Sequence, residues 1–202
     1  MSQFGLAMSL YAYDGQRKYL TEDELRRFLA AASTASAAQG RVSTLCLVLA
    51  HTGCRISEAL NLTANDVQPE PALIAIRGLK KRGKLVVREV PVPPALLLEL
   101  EKVHQIRALQ CDPCGRTLPL WPWGRTRAWQ LVKDVMAAAG VHQLSASPKG
   151  LRHGFGVHAV RSGVPLNLVQ KWLGHEDIST TAIYTNVLGP EEREIAERMW
   201  RP

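Results

Sequence analysis

No stretch of this sequence approaches the run of about eighteen apolar residues that a membrane-crossing helix requires, which excludes a helical membrane protein. The opening residues, Met1-Ser2-Gln3-Phe4-Gly5-Leu6-Ala7-Met8, lack the basic start of a secretory signal. Cysteine is scarce, with four residues in all, which is poor material for a disulfide framework in a domain of this size. Cys46 and Cys54 fall in an apolar helical pattern and read as buried thiols, so the chain reads as cytoplasmic. Cys111-Asp112-Pro113-Cys114 has the spacing of half a zinc site, but no second cysteine pair exists and His104 and His142 make poor partners. No bound metal is therefore expected. Internal repeats and low-complexity tracts are also missing, which excludes a solenoid. Acidic residues fall short of basic ones, 18 against 25, leaving a net charge of +7. Such a surplus suits a polyanionic partner without proving one.

What is present is enough for one sizeable core. The chain has 202 residues, 46% of them hydrophobic, which supports a single domain or a compact pair of lobes. Residues 1–18 read as an irregular segment. Thr21 followed by Glu24 is a capping box, and Leu25, Phe28 and Leu29 form the apolar stripe of the helix it opens. A second helical pattern spans 42–62, where Gly53 marks a break or a close approach of backbone. Residues 72–76 and 85–92 read as two short strands, joined by a basic tip that holds Lys80, Lys81, Arg82 and Lys84. Helical pattern resumes over 94–109, and a loop rich in Pro, Gly and Trp follows over 111–124. There Trp121 and Trp123, with Trp129 beyond, either anchor the loop to the core or stack on a ligand. The remainder reads as helices separated by turns. The expected fold class is mainly α with a small antiparallel β-sheet (α+β).

The chemistry concentrates near the end of the chain. Tyr184 closes the run Trp172-Leu173-Gly174-His175-Glu176-Asp177-Ile178-Ser179-Thr180-Thr181-Ala182-Ile183-Tyr184. Two arginine-bearing segments precede it, Thr52-Gly53-Cys54-Arg55-Ile56-Ser57-Glu58 and Lys149-Gly150-Leu151-Arg152-His153. Attack by a tyrosine oxygen on a DNA phosphodiester builds charge on the non-bridging oxygens. The planar, permanently charged fork of Arg answers that charge with paired hydrogen bonds. Arg55 and Arg152 are the candidates for this role, and Glu58 is placed to orient Arg55. The other tyrosines, Tyr11, Tyr13 and Tyr19, lack such neighbours.

These segments, with Gly150-Leu151-Arg152-His153, Leu173-Gly174-His175 and Thr181-Ala182-Ile183-Tyr184 in this order, resemble the catalytic domain of the tyrosine recombinases, the phage integrase family. The likeness runs over residues 19–202. It implies a tyrosine recombinase catalytic-domain-like fold and a site-specific recombinase that cuts and rejoins DNA through a 3′-phosphotyrosine at Tyr184. By the same resemblance, Arg55, Arg152, His175 and Lys149 bind the phosphate and handle protons, and Lys80 supplies the proton to the leaving oxygen, with Lys81 as the alternative. The position of Lys149 is commonly His in the family. A Lys there donates well but accepts a proton poorly, so His153 or His175 is open as the acceptor of the tyrosine proton. The family usually carries a helical DNA-clamping domain before the catalytic one, and none is expected in this chain, as in the short fimbrial phase-inversion recombinases. Double-stranded DNA is the expected partner, with a tetramer on DNA and a monomer when free. No cofactor is implied. A type IB topoisomerase-like enzyme and a non-catalytic accessory DNA-binding protein are the competing readings.

Overall fold

The computed structural model describes residues 9–34, 40–78 and 86–185. Helix α1 (Glu22–Ser33) begins on the expected capping box: the Glu24 N–H donates to Thr21 Oγ1 at 3.3 Å, and the Thr21 N–H donates back to Glu24 Oε2 at 2.9 Å. Two orphan donors of the first turn are thereby satisfied. Phe28 and Ala32 form its buried stripe. Helix α2 (Gly40–Thr52) is buried on nearly every side, as an all-round apolar helix must be. It packs against α1, α4 (Pro94–His104) and α7 (Pro148–Arg161).

The helical pattern over 42–62 is two helices, broken at Gly53 as expected. Gly53 sits at φ +60, and a Cβ there would fall 2.6 Å from the Phe155 ring. Only glycine tolerates both the backbone angle and the approach, so the chain leaves α2 and restarts as α3 (Ile56–Ala59). The stretch expected as one helix over 94–109 also breaks, at Gln105 (φ 54), separating α4 from α5 (Ile106–Cys111).

Three strands form one antiparallel sheet in the order β1-β2-β3: β1 (Val67–Gln68), β2 (Leu73–Arg77) and β3 (Val87–Pro91). The expected pair is present, with Ile74 opposite Val90 and Ile76 opposite Arg88. β1 is an addition, since two residues are too few to carry a periodic signal. The tip between β2 and β3, with Lys80 and Lys81, lies outside the described residues. In the loop before α6 (Arg125–Ala138), Trp121 is fully buried and donates its indole N–H to the Arg41 carbonyl at 2.8 Å. It is therefore the anchor of that loop.

The chain ends its described course with α8 (Leu166–Leu173) and α9 (Ile178–Ala182). The main core joins α1, α2, α4, α6 and the sheet. A smaller cluster, including Val157, Val160, Val169, Leu173 and Tyr184, lies between α7 and α8. Among the described residues no helix is long and apolar enough to cross a membrane.

Candidate active site

Arg55 stands at the break after α2, as the non-helical residue that caps α3. Glu58, in the first turn of that helix, takes the Arg55 backbone N–H on Oε2 at 2.8 Å and its Nη1 on Oε1 at 3.0 Å. The expected Arg55–Glu58 contact is therefore made, but as a helix-cap interaction rather than between neighbours on one helical face. Arg55 remains half exposed, while the Glu58 carboxylate is wholly buried. Burial alone would raise the Glu58 carboxyl; the hydrogen bond and charge of Arg88, with the Arg55 N–H and guanidinium, hold it below the usual range instead.

Arg152 rises from the first turns of α7, which Ser147 caps by accepting the Gly150 N–H at 3.1 Å. Its guanidinium is buried and bridges two backbone carbonyls, Gly53 O at 2.8 Å and Leu173 O at 2.7 Å. This ties the Gly53 break to the end of α8. Burial, then the repulsion of Arg55, lowers its pKa to about 10, so it stays charged at neutral pH.

His175 follows the left-handed Gly174 that ends α8. Its Nδ1 lies 2.9 Å from Thr181 Oγ1, which leaves the Nε2 edge of the ring for a ligand. Burial and the nearby Arg152 and Arg55 push its pKa down to about 3, so the ring is neutral. Tyr184 lies just beyond α9, with its N–H bonded to the Thr181 carbonyl. Its ring stacks on His175 with centroids 6.2 Å apart and packs on α7 at Gly156, where a Cβ would meet the ring at 2.5 Å. The Tyr184 hydroxyl is 3.2 Å from His153 Nδ1. Burial, opposed by Arg152 and Arg55, raises the phenol to about 12. His153 is itself neutral, lowered to about 4 by burial and then by the charge of Lys149.

Arg55, Arg152, His175 and Tyr184, expected as a set, are therefore brought together from four parts of the chain. Arg55 and His175 line an open hollow of about 720 Å³ with Glu58, Arg88 and Lys171. Lys149 is not in that hollow. It is exposed on the first turn of α7 and lines a second one of about 650 Å³ with Lys18, Lys133 and Trp129. Lys80 lies outside the described residues. The reading of the residues gave Arg88 no role. Its signal was the two-residue period of β3: with Val90 facing inward, Arg88 must face inward too. Among the described residues, no group of three or more His, Cys, Asp or Glu is placed to hold a metal.

Residues 18–189 match the phage integrase family. Tyrosine recombinase XerD of Caulobacter vibrioides is 35% identical over 190 residues, an alignment that covers 89% of this chain and 61% of that protein. The chain thus spans about three fifths of that relative's length. The crystal structure of XerA recombinase superposes with a TM-score of 0.70 at 29% identity, covering 91% of this chain and 63% of that one. XerH site-specific recombinase, captured on palindromic difH substrate after cleavage, shares the fold with a TM-score of 0.69 at 22% identity, covering 91% of this chain and 54% of that one.

Proposed function

The chain belongs to the phage integrase family, and we propose that it is a site-specific tyrosine recombinase that cuts and rejoins cytoplasmic double-stranded DNA. The observation that carries this reading is the convergence of Tyr184, His153, His175, Arg152 and Arg55 around one spot beside an open hollow. Two of these five groups are cationic arginines, two are neutral imidazoles that can donate or accept a proton, and the fifth is a nucleophile. That composition fits a phosphodiester, whose added negative charge in the transition state is what preorganised donors stabilise.

In the proposed reaction Tyr184 Oη attacks phosphorus, a 3′-phosphotyrosyl bond forms, and the bond to the 5′-oxygen breaks. One phosphodiester replaces another, so rejoining needs no nucleotide energy. The phenol proton passes to His153 Nδ1, the nearest neutral base. A bound phosphate helps, because its negative charge raises the histidine pKa values that burial and then the surrounding cations depress, Lys149 and Arg152 at His153 and Arg152 and Arg55 at His175. Arg55 and Arg152 hold the non-bridging oxygens, and the Nε2 edge of His175 adds a further contact. Lys80, in the basic tip, protonates the leaving oxygen. Lys149 contributes positive charge along the adjoining backbone from the second hollow. Synapsis of two duplexes brings four protomers together.

Tyr184 is only 1% exposed, so the ring must swing outward, or its cover must move, before the oxygen meets phosphorus. That burial favours one competing reading, an accessory DNA-binding protein that cuts nothing. A covalent-trapping assay separates the two. Nicked duplexes from the gene's own neighbourhood are incubated with wild type and with Tyr184→Phe, then resolved on a denaturing gel. A protein–DNA band from wild type, absent from Tyr184→Phe, is the expected result. Retained DNA binding with no band in either would leave the accessory reading.

A further inference from the structure

Arg88 presents a physical puzzle. It points inward from β3 with 6% of its surface exposed, on the sheet face whose other inward residues are Ile74, Ile76 and Val90. A buried charge is costly unless it is fully bonded, and an apolar residue of similar volume commonly stabilises a fold as well or better. Stability is therefore a weak account of an arginine here. Its bonds give a better one.

Nη2 donates to Glu58 Oε2 at 2.6 Å, and Nη1 lies 3.3 Å from Glu58 Oε1. Nε donates to the Trp172 carbonyl at 2.7 Å, two residues before Gly174. The same guanidinium lies against the turn that presents His175, since a Cβ on Gly174 would fall 3.0 Å from Nη1. The two Glu58 oxygens that Arg88 grips are those that hold the Arg55 N–H and guanidinium. One planar group thus touches both walls of the hollow: the α3 wall through Glu58, and the end of α8 directly. Arg55 is a long, half-exposed side chain, and without a fixed carboxylate its head would sample many rotamers. A carboxylate locked by a bidentate arginine does not rotate.

The geometry points to Arg88 as a positioning residue that acts through Glu58 to hold the Arg55 guanidinium in place, and through the Trp172 carbonyl to hold the turn that carries His175. It meets no substrate itself. Its consequence for strand cleavage rests on the recombinase reading above; its effect on Arg55 does not.

The test is a double-mutant cycle with two readouts. Wild type, Arg88→Met, Arg55→Ala and the double variant are compared for single-turnover adduct formation on a nicked duplex, each first checked for fold by circular dichroism. Arg88→Met is expected to slow adduct formation about 10²-fold, the order found when a reacting group is misplaced by about an ångström. On the Arg55→Ala background the loss should be several-fold smaller than on wild type, because the part that acts through Arg55 is gone and only the part that acts through the His175 turn remains. The second readout is the Arg55 Nε–Hε resonance, sharp in wild type and broadened in Arg88→Met. Independent, multiplicative rate losses, or an Arg55 resonance unchanged in a folded Arg88→Met, would overturn the proposal. If Arg88→Met does not fold, Arg88→Lys replaces it, keeping the charge but losing the second bond to Glu58 and the reach to Trp172. If wild type forms no adduct, the recombinase reading fails, and the Arg55 resonance still decides the role of Arg88.

Discussion

The proton of Tyr184 is the decisive problem at the scale of single residues. A phenol raised to about 12 beside an imidazole lowered to about 4 will not give up its proton in the free protein, however good the 3.2 Å contact. Both departures begin with burial, and an arriving phosphate changes the charge balance around them. If His153 then accepts the proton, His153→Ala should slow adduct formation by about 10²–10⁴, the range of general acid–base catalysis, while DNA affinity holds. Wild type should also lose rate as pH falls through the His153 pKa of the complex, and that acid limb should vanish in the variant. A limb that survives the substitution would assign the proton to another group. The sequence held this residue next to Arg152 and left it open as a proton acceptor; its contact with Tyr184 needed the fold, because 31 residues separate them. Lys149 shows the opposite limit. Its position in the motif was legible, yet a side chain on the first turn of a helix faces whatever lies beside that turn, and here that is a second hollow.

Among the elements, the break after α2 does most to place the site. It presents Arg55 as a cap, offers the Gly53 carbonyl to Arg152, and receives Phe155 from α7 where a side chain would otherwise sit. Gly53→Ala combines a strained φ of +60 with a Cβ less than 3 Å from the Phe155 ring and the Leu173 side chain. It should cost about 2–4 kcal/mol, the sum of a backbone penalty and overpacking, read as a lower urea midpoint at unchanged slope. Because the strain shifts the backbone carbonyl that Arg152 grips, adduct formation should fall as well. A midpoint equal to wild type would show that α7 yields without strain. The Gly53 break was readable because glycine in an apolar helical pattern is a known punctuator. The Gln105 break was not, since a non-glycine residue at φ 54 leaves no mark in composition. The same contrast separates the two expected strands, which run over five residues each, from β1, which has only two.

For the molecule as a whole, electrostatics link folding to pH. Around the site Arg55, Arg88 and Arg152 face a single buried carboxylate, Glu58, so the folded chain concentrates positive charge where the proposed phosphate binds. That concentration adds to the burial that keeps His153 and His175 neutral, with pKa values near 4 and 3; His104 is also held near 4, by burial and then by Arg41. In the unfolded chain all three return to about 6.5. Between about pH 6.5 and the folded values, the unfolded state therefore binds more protons, and stability must fall as pH is lowered through this window. Glu58 adds to the loss at its acidic end. Its folded pKa lies below the unfolded one, so its contribution is present above the unfolded value and disappears as pH falls through the folded value. The melting temperature should therefore drop between pH 7 and pH 5, by about 2–4 °C for each kcal/mol lost in a chain of this size. His104 sits far from the proposed chemistry, bonded to Thr44 and edge-on to Trp121, so it separates folding from function. His104→Asn should lower the melting temperature at pH 7 yet reduce its slope between pH 7 and pH 5. A slope as steep as that of wild type would mean that His104 titrates alike in both states, and that the acid sensitivity comes from the other groups, the site histidines and Glu58 among them.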